Sequence, residues 1–464
     1  MKKVPGKNSA IEALAANIRN TRFENFNRVT LDNAINRIID VTGCAIGGAN
    51  AVGNRALTKL VKGWGGRPEA TIIVHGGSVP ACNAAMLNSI MARSYDFEVL
   101  IPLIHGVQVP AHISGTTVMT AFAAGELTVC SGKDILTALL VGDDTAVRIL
   151  GASSFELAGG WCNTGTINQF GAVAVSGRLL GLTEHQMRNA FGLVLSQVAG
   201  SLQNVWDGTT AFKLPQGLSA RNGIFSAQLA KEGWTGPKDA LLSRFGYYRL
   251  YTPGCAKPDF LTRDLGKVYY AESVFKPYPC CRATHASIDC ALALVRKHGI
   301  KTSEIEDAVI YLPKAEAKAF PGQPFTIGEV AHANAIFSCR YTAATALMRG
   351  RVRPEHFSEA AIHDPEVLDL AGRIRVVENP GAPPLSARLT LKMKDGRELC
   401  EFTDAPWGDG LRNPMTREDI IDKYYLNIAH SKTITKEKAS RLLDSLLNLE
   451  NIDSVNDIMK LMVP

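Results

Sequence analysis

The densest group of reactive side chains lies at residues 276–285, which read KPYPCCRATH. A lysine, a tyrosine, an arginine and a histidine fall directly before a segment with helical periodicity. Cations at the start of a helix suit recognition of an anion, because ammonium and guanidinium groups pair with carboxylates and phosphates. The segment also stands where helical sequence gives way to β-rich sequence, so a domain linker is the alternative interpretation. A linker beside a cleft can serve both purposes.

A second group of candidates lies just before or within residues 99–125, which form the longest run without Asp, Glu, Lys or Arg. Asp96 stands just before this run and His105 within it. A histidine in apolar surroundings is either a hydrogen-bonded core residue or a proton-transfer group whose pKa burial shifts. His112 presents the same two alternatives. The prolines and histidines of the run argue against a membrane span and favour a buried core segment.

Lys213 and Cys162 each stand just before a predicted helix. Lys213, between two apolar residues, could hold a carboxylate near a helix N-terminus, where backbone N–H groups already favour anions. A solvated loop lysine is the alternative. Cys162 occupies a position where thiols can be activated as thiolates, and the alternative is an inert buried thiol.

The helix after Cys162 indicates where such groups would be placed. Residues 159–182 read GGWCNTGTINQFGAVAVSGRLLGL, and the first nineteen of them carry no charge. A helix of small residues without a polar face is buried on every side. Polar side chains at its mouth are costly unless they are bonded or used. The pattern predicts a site set in a deep helical core.

Helical periodicity and capping signals dominate both ends of the chain, and β-rich segments lie between them. Helices are predicted at 135–150, 187–205, 218–232, 283–297, 332–348, 420–428 and 436–447. Short strands are predicted at 309–312, 373–377, 387–393 and 399–402. The sequence therefore predicts a mainly α fold, with a helical domain of residues 1–267 and 405–464 and an inserted α+β lid domain of residues 268–404.

The composition narrows the class of protein. The 464 residues are 46% hydrophobic and 20% charged, which is typical of a globular protein with an ample core. A net charge of +6 without a long basic run gives no indication of nucleic-acid binding and mildly favours anionic small substrates. Ten scattered cysteines without metal-site spacing and no secretory signal predict a reduced, cytoplasmic protein. No phosphate loop, nucleophile elbow, HExxH motif or dinucleotide fingerprint is present, so the motifs suggest no bound redox cofactor.

In combination, six segments resemble the MmgE/PrpD family, which includes 2-methylcitrate dehydratases, cis-aconitate decarboxylases and an iminodisuccinate epimerase. The resemblance runs from about residue 8 to residue 430. It rests on 96–106 (DFDD…HPG in the family), 131–148 (a capped helix), 160–172 (GfHxT…Gaa), 213–217 (KxxxxG), 276–285 (KpYPsCrxtH) and 407–416 (GdPxnPlt).

This resemblance implies an active site between a helical domain and an α+β lid, usually in a homodimer, with no metal or organic cofactor. It also implies that Asp96, His105, Lys213 and Lys276 are active-site residues. The chain departs from the family pattern where Cys162 replaces the usual histidine. In the family, polar residues usually follow the DFD motif. Here Glu98 and the apolar residues 99–101 stand in their place.

Together, these observations predict a cofactor-independent lyase acting at the carbon next to a carboxylate of a small di- or tricarboxylate, by dehydration or decarboxylation. Lys213, Lys276 and Arg282 would neutralise the carboxylates and the developing enediolate. His105, oriented by Asp96, would be the general acid or base. Further substrate contacts are expected from Thr164, Tyr278 and His285.

Two alternatives stay open. An epimerase would return a proton to the opposite face of the carbon, and His105 and Cys162 would be the opposed proton-transfer groups. A catalytically silent homologue, retained for binding or assembly, is the other alternative, because Cys162 stands in place of the usual histidine.

Overall fold

The computed structural model describes residues 9–100, 111–155, 159–270 and 273–464, together with the backbone of 103–104 and 107–108. The fold is mainly α with small sheets, as the sequence predicts. In chain order the helices are α1 (Ala10–Asn20), α2 (Arg28–Gly48), α3 (Asn54–Trp64), α4 (Ala81–Arg93), α5 (Ser114–Thr128), α6 (Gly132–Ala152), α7 (Asn163–Thr166), α8 (Asn168–Leu179), α9 (Glu184–Leu195), α10 (Gln203–Trp206), α11 (Leu214–Lys231), α12 (Tyr247–Tyr251), α13 (His285–His298), α14 (Lys314–Lys318), α15 (Ala331–Ile336), α16 (Cys339–Arg349), α17 (Glu359–Ile362), α18 (Pro365–Arg373), α19 (Arg417–Ser431), α20 (Lys436–Leu447) and α21 (Val455–Leu461).

The strands form one four-stranded sheet and two short hairpins. The hairpins pair β1 (Ala70–Thr71) with β2 (Ser78–Val79), and β3 (Leu103–Ile104) with β4 (Val107–Gln108). The larger sheet has the order β6-β5-β7-β8, from β5 (Ile305–Leu312), β6 (Ile374–Glu378), β7 (Ala387–Met393) and β8 (Glu398–Thr403). Only the β5–β6 pair of this sheet is parallel.

Local capping explains several helix starts. Ser131 and Thr183 each accept a hydrogen bond from the backbone three residues on, and a capping box completes both helix starts. The helix predicted at 187–205 ends earlier, as α9, and the chain passes through Gly200 at φ 134° before α10 begins. The helix predicted at 332–348 is divided into α15 and α16, and Ser338 caps the second of them.

The charge-free helix predicted after Cys162 is α8, and residues 168–177 are all buried. Small residues let α6 and α11 approach it closely. A Cβ at Gly142 would lie 2.3 Å from Val175 Cγ2, and one at Gly223 would lie 2.3 Å from Ala172 Cβ. Only glycine fits at these two contacts. This packing fixes α11, whose N-terminus carries Lys213.

Two large apolar clusters form the core. One draws its buried residues from 11–275 and 415–462, and the other from 278–393 together with Phe212. The boundaries at 267/268 and 404/405 remain a prediction. Among the described helices, none is long and apolar enough to cross a bilayer.

Candidate active site

The loop after α4, residues 94–100, is bound by residues from the segments that form both apolar clusters. His332 of α15 lies 2.8 Å from the Ser94 carbonyl. Lys423 of α19 donates to the Phe97 carbonyl at 2.6 Å, and its ammonium also pairs with a buried aspartate of α2 at 2.6 Å. Bonds in both directions join Leu100 to Val274. The side chains that this loop carries are therefore placed by several independent contacts.

Asp96 is the centre of the site. Its carboxylate accepts hydrogen bonds from Arg93 and, at 2.6 Å, from Lys276 Nζ, which also donates to the Asp96 carbonyl. The backbone at Asp96 adopts a left-handed conformation with φ 49°, which is uncommon for a residue with a side chain. Lys276 thus binds both the backbone and the side chain at a strained position, and strain of this kind concentrates at functional sites.

Glu98 and His112 complete the cluster. Glu98 Oε1 lies 3.0 Å from His112 Nδ1 and 3.3 Å from Arg93 NH1. The other ring nitrogen, His112 Nε2, lies 3.6 Å from Asp96 Oδ1. Two carboxylates, one guanidinium, one ammonium and one imidazole therefore meet in a buried space, and this combination of groups is typical of acid–base chemistry.

The surroundings set the protonation of these groups. Burial and the adjacent Arg93 lower the pKa of His112 to about 3, so its ring is neutral at pH 7. Burial alone would raise the pKa of Glu98, but Arg93 and His112 hold it below its usual range, so Glu98 is ionised. Burial lowers the pKa of Lys276 to about 7, against the opposing effect of Glu98. Lys276 can therefore gain or lose a proton near neutrality.

Lys213 approaches the same loop from α11 and is 5% exposed. Its ammonium donates to the Val52 carbonyl at 2.6 Å, to Asn54 Oδ1 at 2.8 Å and to Ser94 Oγ at 3.4 Å. All three acceptors are neutral, and within the described part of the chain no carboxylate forms an ion pair with Lys213. Burial lowers the pKa of Lys213 to about 7. A desolvated cation without a counterion is suited to an anionic ligand.

The two lysines reach positions two residues apart in one loop, since Lys213 contacts Ser94 and Lys276 contacts Asp96. Neither ammonium is directed at bulk solvent, because Lys213 is 5% and Lys276 0% exposed. His105, the predicted acid or base, lies outside the described residues. His112 is the histidine that the described structure brings to Asp96.

Arg282, His285 and Tyr278 have partners elsewhere. Arg282 donates to the Trp407 carbonyl at 2.7 Å and lies 3.1 Å from His285 Nδ1. Tyr278 donates to Asp289 at 2.6 Å and lines a cavity of about 360 Å³ between α13, β8 and Trp407. Arg282 thus attaches the 276–285 segment to Trp407. Contact of these three residues with substrate remains a prediction.

Cys162 and Thr164 lie at the start of α7. Cys162 is partly exposed, and its backbone N–H donates to Gly200. Thr164 is buried, and its carbonyl accepts from Ser219 of α11. Among the residues described, neither side chain bonds to Asp96 or to either lysine, so their predicted roles remain predictions.

The sequence analysis did not identify Arg93 or the pairing of Glu98 with His112. Arg93 could have been noticed as a charged residue at the end of an otherwise uncharged helix. In the structure it ends α4, whose last ten residues are buried. No comparable signal placed His112 opposite Glu98, since fourteen residues separate them. Among the described residues, no group of three or more His, Cys, Asp or Glu side chains could hold a metal ion.

The protein has a mainly helical fold with a buried cluster of lysine, carboxylate and imidazole groups, a combination that is suited to acid–base chemistry. Residues 12–258 match the MmgE/PrpD N-terminal domain, and residues 278–449 match the MmgE/PrpD C-terminal domain. The chain belongs to the MmgE/PrpD family.

Several relatives are similar over most of their length. A cis-aconitate decarboxylase of Mus musculus is 26% identical over 405 residues, covering 83% of this chain and 79% of the relative. One of Aspergillus terreus is 24% identical over 461 residues, covering 93% and 91%. The cis-aconitate decarboxylase-like protein oryM of Aspergillus oryzae is 23% identical over 465 residues, covering 93% and 92%. Decarboxylases are lyases, so the family and these relatives together support an enzyme of the lyase class.

Proposed function

We propose that the protein is a cofactor-independent decarboxylase of a small unsaturated tricarboxylate, with cis-aconitate as the first candidate substrate. The names of its relatives support the substrate class, and the cluster around Asp96 supports the acid–base chemistry. Dehydration of a hydroxylated tricarboxylate is the neighbouring lyase reaction in the same family.

The observation that carries the proposal is the environment of Lys213. An ammonium that is 5% exposed and, among the residues that the structure describes, bonded only to neutral oxygens is costly to keep charged. A substrate carboxylate beside it would provide the missing counterion and raise its pKa from about 7. Binding of a polyanion is therefore favoured at this place more than at a surface lysine.

In the proposed reaction the bond between the carbon chain and one carboxylate breaks, and that carboxylate leaves as carbon dioxide. The electron pair left on carbon delocalises through the double bond into the next carboxylate, where Lys213 and Lys276 stabilise the charge. A proton then adds to the carbon beside that second carboxylate. The double bond now ends at the carbon that lost carbon dioxide. Lys276, with a pKa of about 7, is the proposed proton donor to carbon, and His112 is the proposed relay through which a proton from water restores Lys276.

Proton NMR in heavy water tests the proposal. The purified protein is incubated separately with cis-aconitate, citrate, 2-methylcitrate, malate, tartrate and iminodisuccinate. New terminal vinyl protons from cis-aconitate, with deuterium in the product, are the expected result. Deuterium exchange without net product would overturn the proposal in favour of an epimerase. Water loss from citrate or 2-methylcitrate would replace it with a dehydratase, and no change in any acid would favour the silent homologue.

A further inference from the structure

His112 Nδ1 has two neighbours that make opposite demands. Glu98 Oε1 lies 3.0 Å away and can only accept a hydrogen bond, whereas Arg93 NH1 lies 3.1 Å away and can only donate one. A neutral imidazole carries one N–H, so Nδ1 satisfies either the glutamate or the arginine. The choice decides which ring nitrogen has the free lone pair.

The arginine has better acceptors than the imidazole. Arg93 NH1 carries two hydrogens and contacts the Asp96 carboxylate and, at 3.3 Å, the Glu98 carboxylate. Hydrogen bonds to ionised acceptors are stronger than those to a neutral ring nitrogen. An unprotonated Nδ1 would also set its lone pair against the glutamate oxygen at 3.0 Å. Both arguments put the proton on His112 Nδ1.

We infer that Glu98 is a positioning residue that holds His112 as the Nδ1–H tautomer and leaves the Nε2 lone pair for proton transfer. This inference rests on the proposed function. Nε2 lies 3.6 Å from Asp96 Oδ1, and that carboxylate is already engaged by Arg93 and Lys276. The imidazole is 15% exposed, so the ring is partly accessible to solvent. The Glu98 carboxylate, at 0% exposure, is fully enclosed.

The balance of charge agrees with a neutral ring. The carboxylates of Asp96 and Glu98 face the guanidinium of Arg93 and Lys276, so with Lys276 protonated the cluster needs no further cation. A neutral ring keeps a lone pair at pH 7, and a protonated ring would have none.

His285 provides an internal reference with the opposite tautomer. Arg282 NH1 lies 3.1 Å from its Nδ1, and its Nε2 lies 3.2 Å from the Cys280 carbonyl. The arginine donates and the carbonyl accepts, so this ring carries its proton on Nε2. The two buried histidines should therefore show different tautomers in one NMR spectrum.

Long-range proton–nitrogen NMR of ¹⁵N-histidine-labelled protein reads the tautomers directly, with His112→Gln and His285→Gln assigning the signals. The expected result is Nδ1–H for His112 and Nε2–H for His285. In Glu98→Gln the carboxamide can donate to Nδ1, so the His112 signal should change to Nε2–H or to a mixture. We expect kcat to fall about 10–100-fold, as for other partners that orient a histidine, with KM changed less.

Glu98→Asp keeps the carboxylate and should recover the Nδ1–H signal and part of kcat. Glu126→Gln is the control, because Glu126 is a partly buried glutamate that accepts from Thr71, away from the site. A His112 ring protonated on Nε2 in the unaltered protein, or an unchanged His112 signal in Glu98→Gln, would overturn the inference. Because the tautomer is read without turnover, absence of lyase activity would overturn the proposed function and the proton-transfer role, and leave the tautomer assignment standing.

Discussion

Lys276 and Asp96 are joined by a 2.6 Å ion pair across 180 residues of sequence. Asp96 belongs to the loop after α4 in the helical part of the chain, and Lys276 precedes α13. The pair is buried on both sides, with side chains 0% and 2% exposed. Breaking one partner of such a pair leaves an uncompensated charge, so the contact fixes how the 276–285 segment meets the site.

Removing either lysine should abolish turnover. Lys213→Ala deletes the cation without a counterion, and Lys276→Ala deletes both the partner of Asp96 and the proposed proton donor. We expect kcat/KM for the substrate found by NMR to fall at least about 10³-fold in each variant. Circular dichroism checks the fold, and Lys460→Ala, an exposed lysine paired with Asp457, is the control. Near-normal rates in both variants would remove the proposed roles.

Lys213 should make stability depend on pH. Its pKa is about 7 in the folded protein, against a usual 10.5, so between these values the unfolded chain binds more protons. The free energy of unfolding then rises with pH in this window. Below pH 7, the buried charge costs about 5 kcal/mol.

Lys213→Met should therefore gain stability relative to the unaltered protein at pH 6, and the difference should shrink as pH approaches 10. Urea unfolding at several pH values measures this difference. A gap that stays constant with pH would show that Lys213 titrates normally.

Arg282 should matter for stability more than for substrate affinity. Its guanidinium donates to the carbonyls of Trp407 and Pro406, and Arg282→Met would leave these buried acceptors without their charged donor. We expect a loss of about 3 kcal/mol in the free energy of unfolding, with a small change in KM. A large increase in KM at unchanged stability would instead support the direct substrate contact predicted from the sequence.

Cys162 separates the lyase from the epimerase alternative. Its thiol has no hydrogen bond to Asp96 or to either lysine among the residues described, so Cys162→Ser should keep kcat within about tenfold. Cys400→Ser, which changes an exposed thiol, is the control. A drop comparable with that of Lys276→Ala would indicate that Cys162 transfers a proton.

Local patterns explain what could be read from the sequence. Capping boxes and periodicity placed α6, α20 and the β7–β8 hairpin closely, because those signals depend on neighbouring residues. Lys213 was recognisable as a cation between apolar residues, Lys276 as a member of the densest polar cluster, and Asp96 as a carboxylate just before the charge-free run. Glu98 was noted only as a departure from the family pattern, and its pairing with Arg93 and His112 needs tertiary structure. The left-handed turn at Asp96 that brings these groups together has no sequence signal, since it is held by Lys276 from a distant segment.

The central claim is that Lys213 is a buried cation that binds a carboxylate of the substrate. Calorimetry of tricarballylate binding tests it most directly, because this saturated tricarboxylate offers the same charges without the double bond. At pH 8 a lysine with a pKa of about 7 is mostly neutral, and an anion beside it raises that pKa. Titrations in two buffers of different ionisation enthalpy should show uptake of about one proton or more per site, reduced in Lys213→Met. Binding without proton uptake, and with equal affinity in Lys213→Met, would contradict the account.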